Sequence, residues 1–328
     1  MVRLLAPAAL LAAASTAASA LSLPALARRQ RIAVCDCGVI DTTDPNQAMW
    51  TDYFERDFRT MSRADVERDF VVMSYDIKRP VGLARSYEPD NMRVDSEGLK
   101  LTVSPANDQG EVPSAGILTK HKEFGFGHYT IETQSTPDAG LVHAFYNYES
   151  DENEVDMEYV TTGNGTQRLR TSVKPQLYMA NGQADPSTYS EITPASGVDL
   201  ASSSNTWSYI WNSSAVVFGL NDEYTEVLTR NVPQTPGTLA ISAWSDGNPR
   251  FSGGPPAQNA TVLVTRLWAV YNATGGSLEC KARKAACGIA EAAQATTPHG
   301  YNNAVSGRAA SSALAVAAVA LVGAGLLL

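Results

Sequence analysis

Acidic and apolar side chains alternate over five consecutive residues, Glu154-Val155-Asp156-Met157-Glu158. Successive side chains of a β-strand point to opposite faces, so in a strand the three acids would share one face. Carboxylates in a row on one face repel one another, and strands also disfavour aspartate. A sequence that accepts this cost is typical of a catalytic site, whereas the simpler alternative is a solvated acidic strand that continues the charged loop before it.

Two neighbouring carboxyl groups can cleave a glycosidic bond with retention of configuration. One carboxylate attacks the anomeric carbon while the other carboxyl group protonates the leaving oxygen, the two being roughly 5–5.5 Å apart. Four strand steps separate the Cα atoms of Glu154 and Glu158 by roughly 13 Å, so their side chains must lean together over Asp156. This crowding should keep one glutamate protonated while the other stays ionised.

A sheet must position these acids, and the chain after residue 98 has the pattern of one. Short alternating segments are separated by turn signals such as Asn181-Gly182, which is typical of antiparallel sandwiches and barrels. We predict strands at residues 99–103, 128–133, 141–148, 154–161, 207–211, 215–220, 238–244 and 261–271. Helical periodicity is sparse, the best candidates being residues 61–70 and 281–295. The predicted fold class is all-β, with two curved sheets packed face to face.

Further motifs flank the acidic strand in a consistent order. They are the segments FGFGHY at 124–129, GLVHAFYNY at 140–148, WSYIW at 207–211, VFGLND at 217–222 and WSDGNP at 244–249. Together with Glu-x-Asp-x-Glu they cover roughly residues 99–272 and resemble glycoside hydrolase family 16. The resemblance implies a concanavalin A-like β-jelly-roll sandwich of two curved antiparallel sheets, with the acidic strand lining a cleft.

The same resemblance implies roles for the acids. Glu154 corresponds to the nucleophile, Glu158 to the general acid/base, and Asp156 to the residue that hydrogen-bonds and orients the nucleophile. It also implies four substrate-binding candidates. Trp244 would stack on a sugar ring, Trp211 would line the cleft or belong to the sandwich core, and two further residues would serve either a subsite or the structure, namely Tyr146 and Asp246.

The substrate stays open. No extra residue separates Asp156 from Glu158, unlike in laminarinase-like members, and this unbulged form resembles lichenases, xyloglucan enzymes and fungal wall chitin-glucan transglycosylases. The segment at 169–175 departs from the family, since it carries Arg170, Lys174 and Pro175 where Asn and aromatic residues would line the next cleft strand.

We therefore expect a retaining endo-acting glycoside hydrolase that cleaves β-linked glucan-type cell-wall polysaccharide by double displacement. The alternatives are a wall glycan transglycosylase, which passes the glycosyl group to another sugar, and a lectin-like binding protein. The three acids argue against the lectin, because binding needs neither a nucleophile nor a proton donor. We expect no cofactor, no metal and a monomer.

Other function classes lack their motifs. There is no HExxH and no Gly-x-Ser-x-Gly, and the histidines are scattered at His121, His128, His143 and His299. Gly125 and Gly127 precede no predicted helix, which argues against a phosphate loop, and they suit a sheet edge better. The net charge is −9, and it would become −13 without Arg3, Arg28, Arg29 and Arg308, which argues against nucleic acid as a partner.

Both ends of the chain predict secretion and anchoring at the cell surface. Residues 1–20 have the layout of a signal peptide, and residues 21–29 form either a pro-segment released at Arg28-Arg29 or a basic linker. The catalytic domain then spans 30–290, followed by a spacer at 291–312. The apolar tail at 313–328 is typical of a glycosylphosphatidylinositol (GPI) signal with attachment at Asn302, a retained tail anchor being the alternative.

Cysteines and sequons fit the secretory route. Four cysteines allow three pairings, and a bridge between Cys35 and Cys37 would close a very tight ring, so we favour pairing across the chain ends. A bridge within Cys280 and Cys287 is the alternative. N-linked glycan acceptors occur at Asn164, Asn212, Asn259 and Asn272.

Overall fold

The computed structural model describes residues 38–40, 49–78, 83–161, 166–272 and 287–288. In chain order the strands are β1 (Val39–Ile40), β2 (Met49–Trp50), β3 (Asp52–Asp57), β4 (Phe70–Val72), β5 (Asp76–Ile77), β6 (Ala84–Tyr87), β7 (Met92–Asp95), β8 (Gly98–Val103), β9 (Glu111–Thr119), β10 (Gly127–Gln134), β11 (Val142–Ser150), β12 (Asn153–Val160), β13 (Leu169–Val173), β14 (Tyr189–Ile192), β15 (Asn205–Trp211), β16 (Val216–Leu220), β17 (Glu223–Leu228), β18 (Thr238–Trp244), β19 (Ala260–Tyr271) and β20 (Cys287–Gly288). Helical elements are α1 (Arg63–Asp69) and the 3₁₀ helices Phe58–Thr60 and Pro89–Asn91.

Two large sheets contain most of these strands. The cleft sheet has the order β14-β13-β12-β11-β18-β9-β6-β5, with β4 also paired to β9. The back sheet has the order β17-β16-β15-β10-β19-β8-β7, with β3 also paired to β19. Pairing in both is antiparallel apart from β6 with β9, and a small sheet has the order β2-β1-β20. The predicted all-β sandwich of antiparallel sheets is confirmed.

The main core lies between the two large sheets. Val155 and Met157 of β12 and Phe145 of β11 are fully buried in it. The ring of Phe145 lies 5.4 Å from that of Tyr209 on β15, which stacks at 4.9 Å on Tyr129 of β10. These contacts hold the apolar face of β12 against the back sheet. The acidic residues of β12 must therefore face the other way.

All eight predicted strands are present, with ends shifted by at most two residues. The helix predicted at 61–70 is α1, which begins after Ser62 in a capping box with Asp65. The helix predicted at 281–295 is wrong at its two described residues, which form β20 and pair with β1; the rest lies outside the described residues. The strands before residue 98 lack sustained alternation, so the sequence did not indicate them.

Several predictions concern the chain ends. The signal peptide, the segment at 21–29, the spacer from 291, the tail and Asn302 all lie outside the described residues. Within the part of the chain that the structure describes, no helix is both long and apolar enough to span a membrane. Cys35, Cys37 and Cys280 also lie outside it, while the backbone of Cys287 pairs with that of Val39. Disulfide pairing stays a prediction.

Three of the four sequons can be located. Asn212 and Asn259 are exposed, whereas Asn272 is half-buried and its Oδ1 accepts a hydrogen bond from the backbone N–H of Thr51 at 3.2 Å. Asn164 lies outside the described residues. Exposure favours Asn212 and Asn259 as glycan acceptors, and glycosylation stays a prediction.

We predict that Phe145→Ala lowers the free energy of unfolding by about 3–5 kcal/mol, because it leaves a cavity between the two sheets. Val227→Ala is the matched control, since Val227 is 54% exposed and its loss should change stability by no more than about 0.5 kcal/mol. Urea unfolding of both variants checks this, and equal midpoints would contradict the packing described above.

Candidate active site

The three acids of β12 point into one cavity of about 860 Å³ on the outer face of the cleft sheet. Glu154 and Asp156 are each only 8% exposed. The predicted alternation is confirmed, with Glu154, Asp156 and Glu158 on the cavity side and Val155 and Met157 in the core. This arrangement excludes the simpler alternative of a solvated acidic strand.

Register fixes what stands beside each acid. On the β11 side, Asp156 pairs with Tyr146 and Glu158 with Ala144. Tyr146 lines the cavity beside the acids and is 5% exposed, which is a position that a substrate-binding residue could occupy. Its role in binding stays a prediction.

Basic residues stand on the other side of β12. Glu158 pairs with Arg170 of β13, and Asp156 pairs with Ser172. The backbone N–H of Lys174, the residue directly after β13, donates to the carbonyl of Glu154 at 3.0 Å, so the two residues are direct neighbours. Each glutamate therefore has a cation opposite it.

Trp244 lies at the end of β18 and lines the cavity, but its ring is covered. The guanidinium carbon of Arg85 lies 3.4 Å from the ring centroid, and the ring of Phe251 lies 5.9 Å away at an interplanar angle of 24°. Trp244 is consequently 8% exposed. Stacking of a sugar on Trp244 stays a prediction, and it would require the Arg85 guanidinium to move off the face of the indole ring.

Trp211 does not reach the cavity. It lies on β15 of the back sheet, is 1% exposed in the main core, and its Nε1 donates to the carbonyl of Pro233 at 2.9 Å. The prediction of Trp211 as a substrate-binding residue was therefore wrong, and the alternative of a core residue is correct. Its strand belongs to the back sheet, and its side chain turns inward against Phe126.

Asp246 lines the cavity beyond the end of β18 and is 2% exposed. Its Oδ1 accepts hydrogen bonds from the hydroxyl of Ser252 at 2.8 Å and from the backbone N–H of Asn248 at 3.0 Å. These bonds hold the loop that carries Phe251. Asp246 thus has a clear structural role, and a substrate contact by it stays a prediction.

Burial raises the pKa of the acids because water no longer solvates their charges. It raises the pKa of Glu154 to about 7, and Lys174 opposes this increase while the negative charge of Glu158 adds to it. The pKa of Asp156 is raised well above its usual range by burial, and then by repulsion from Glu158 and Glu154. The cluster therefore favours one negative charge over three.

Burial also raises the pKa of the Glu158 carboxyl, as a general acid requires. Three cations oppose the increase, in the order Lys174, Arg170 and Arg85. Arg85 is 5% exposed, and its Nε is buried without a hydrogen-bond partner among the described residues.

Sequence reasoning missed Arg85 and Phe251 as cavity residues and gave Arg170 and Lys174 no role. Arg170 and Ser172 alternate along β13 and Lys174 continues the alternation just past its end, so this period of two is the signal that places them on one face. Arg85 reaches the site from β6, four strands away from β12 in the sheet order, and no local pattern indicates that contact.

Comparison with known proteins agrees with this geometry. Residues 82–265 match the family model described as glycosyl hydrolases family 16. The match covers more than half of the chain, and the chain belongs to glycoside hydrolase family 16. This membership supports a glycosidase that acts on glucan, or a transglycosylase of the same family.

Two curated relatives and one solved structure illustrate the range. A beta-glucanase from Brevibacillus brevis is 24% identical over 188 residues, covering 55% of this chain and 68% of that enzyme. Crh-like protein 5 from Aspergillus fumigatus is 26% identical over 163 residues, covering 48% of this chain and 38% of that protein. The structure of Crh5 transglycosylase in complex with NAG matches with a TM-score of 0.51 and 20% identity, over 68% of this chain and 85% of that one. This chain spans about half the length of the other curated relatives that it matches.

The raised pKa of Glu154 predicts how stability depends on pH. Between pH 4.5 and about 7 the unfolded chain ionises Glu154 while the folded protein keeps the proton, so raising the pH over this window destabilises the fold. The gap between the two pKa values corresponds to about 3 kcal/mol. Relative to Glu154→Gln, which cannot ionise, the wild type should lose about that much stability between pH 4.5 and 7.5.

Urea unfolding of both proteins across this range measures the difference. A stability difference that does not change with pH, or that changes in favour of the wild type as pH rises, would contradict the buried, proton-retaining state of Glu154.

Proposed function

We propose that this chain is a retaining endo-acting glycoside hydrolase that cleaves β-linked glucan-type cell-wall polysaccharide by double displacement. The observation that carries the proposal is the presence of three acids on one face of β12, two of them buried and one half-buried, inside a cavity and in a family 16 chain. The cavity extends across the cleft sheet, from Arg85 on β6 to Tyr189 on β14. A cleft that crosses the sheet suits an extended polymer, which supports endo action.

In the first step, a carboxylate oxygen of Glu154 attacks the anomeric carbon and forms a covalent ester. The glycosidic C–O bond breaks, its electron pair stays on the leaving oxygen, and the carboxyl proton of Glu158 passes to that oxygen. Protonated Asp156 donates a hydrogen bond to Glu154 and orients it. The raised pKa of Asp156 supports this role, because an ionised aspartate could not donate.

In the second step, Glu158 is the ionised partner and acts as general base. It removes a proton from water, the water oxygen attacks the anomeric carbon, and the bond to Glu154 breaks to regenerate the carboxylate. If a sugar hydroxyl takes the place of water, the same step makes a new glycosidic bond.

The second candidate function is therefore glycan transglycosylation, either glucan to glucan or chitin to glucan. Likeness to a solved transglycosylase and to a Crh-like protein favours it. A lectin-like function explains less, because binding alone does not need the proton-retaining acids.

We also propose the cellular setting. Residues 1–20 would direct secretion, and attachment of a lipid anchor at Asn302 would hold the mature protein, residues 30–302, beside the wall. The exposure of the sequon residues Asn212 and Asn259 is compatible with glycosylation on this route.

The test is incubation of the purified protein with mixed-linkage glucan, β-1,3-glucan, xyloglucan and chitin oligomers, with products read by mass. Glu154→Gln should give no product, since an amide cannot form the ester, and Glu158→Gln should slow the reaction by at least about 10²-fold. Glu149→Gln is the matched control, because Glu149 is exposed on the adjacent strand and should retain full activity.

The products distinguish the candidates. Shortened products establish hydrolysis, and longer or hybrid products establish transglycosylation. Binding without products on any of these glycans, unchanged in Glu154→Gln, would overturn the enzyme and favour the lectin.

A further inference from the structure

The strand after the catalytic strand carries a lysine opposite the nucleophile. Val155 and Val173 form the last pair of the β12–β13 ladder, and one residue beyond it the backbone N–H of Lys174 donates to the carbonyl of Glu154 at 3.0 Å. Directly opposite side chains on antiparallel strands share a face, with Cβ atoms about 5 Å apart. Both side chains line the cavity.

We propose that Lys174 is a positioning residue that supplies one counter-charge to Glu154 and Glu158 in turn during the reaction. This inference rests on the proposed double displacement, because only there does the negative charge move from one glutamate to the other.

The first argument is the charge of the free site. Burial favours the neutral form of all three acids, so the cluster resists ionisation, whereas the nucleophile needs one negative charge. Among the cations, Lys174 lowers the pKa of both Glu154 and Glu158 most. The pKa of Lys174 itself is raised, because the attraction of the three carboxylates outweighs burial. Its ammonium therefore stays charged and neutralises the cluster.

The second argument is that the negative charge passes from one glutamate to the other while the net charge of the cluster stays the same. When Glu154 forms the ester it loses its negative charge, and Glu158 gains one by giving its proton to the leaving oxygen. Lys174 acts on both groups, so the cluster and its cation remain neutral together before and after the step. No other charge has to enter or leave a cavity in which charges interact strongly.

The third argument is the surroundings. The other charged and titratable groups near the cluster, among the described residues, are Arg85 and Tyr87 on β6, Tyr146 and Tyr148 on β11, Asp151 and Glu152 before β12, Arg170 on β13, Tyr178 after β13, Tyr189 on β14, Tyr209 beneath β12, and Asp246 and Arg250 after β18. Of these cations, Arg170 and Arg85 lower the pKa of Glu158, whereas the cation that lowers the pKa of Glu154 is Lys174. Losing Lys174 would leave the nucleophile without its counter-charge.

The test compares the pH profile of kcat/KM for the wild type, Lys174→Met and Lys174→Arg. Lys174→Met should move both limbs to higher pH by about one unit, because both glutamates lose an opposing cation. Activity at pH 6 should then fall about tenfold. Lys174→Arg keeps the charge and should restore the wild-type limbs. Lys122→Met, which removes an exposed lysine outside the cavity, should leave the profile unchanged.

A readout without turnover separates this inference from the proposed function. In ¹³C NMR of protein labelled at its side-chain carboxyls, the signal absent from Glu154→Gln identifies Glu154. Its titration should move to higher pH in Lys174→Met, or in Lys174→Gln should the methionine variant fold poorly, and return in Lys174→Arg. An unchanged titration and unchanged limbs would overturn the inference. Absence of activity in the wild type would instead overturn the proposed function.

Discussion

Burial of three carboxyl groups on one face of β12 is the constraint on which the rest of the site depends. Each ionised carboxylate removed from water carries a large solvation cost, and each also repels its neighbours. The cluster responds by holding protons, which raises the pKa of Glu154, Asp156 and Glu158 above their usual values. One ionised group beside protonated neighbours is the state from which double displacement can begin.

The sheet imposes this crowding through its packing. Val155 and Met157 are locked into the core between the sheets, so the intervening acids have only the cavity to enter. The strands on either side then determine the environment of the acids. β11 brings Tyr146 next to Asp156, and β13 brings one cation opposite each glutamate. The pairing register of β11, β12 and β13 thus determines where the three acids lie and which charged groups surround them.

Much of this could be predicted from local pattern. A period of two identified β12 and its acidic face, and the flanking motifs identified the family. Trp211 shows the limit, because a tryptophan on an alternating strand suits a cleft and a core equally well until the sheet that contains it is known. Trp244 lines the cavity as expected, yet its cover could not be foreseen, since Arg85 comes from a strand far away in sequence. Lys174 was visible only as a departure from the family, because its meaning depends on the register between β12 and β13.

Covalent trapping tests the central claim, that Glu154 is the nucleophile of a double displacement, most directly. The protein would be incubated with a 2-deoxy-2-fluoro glycoside that carries a good leaving group and matches a cleaved glycan, and then digested and analysed by mass spectrometry. The account predicts a mass increase of one fluoroglycosyl group on the peptide that contains Glu154, located at that residue. Labelling at Glu158 or elsewhere, or release of the leaving group without any labelled protein, would contradict it.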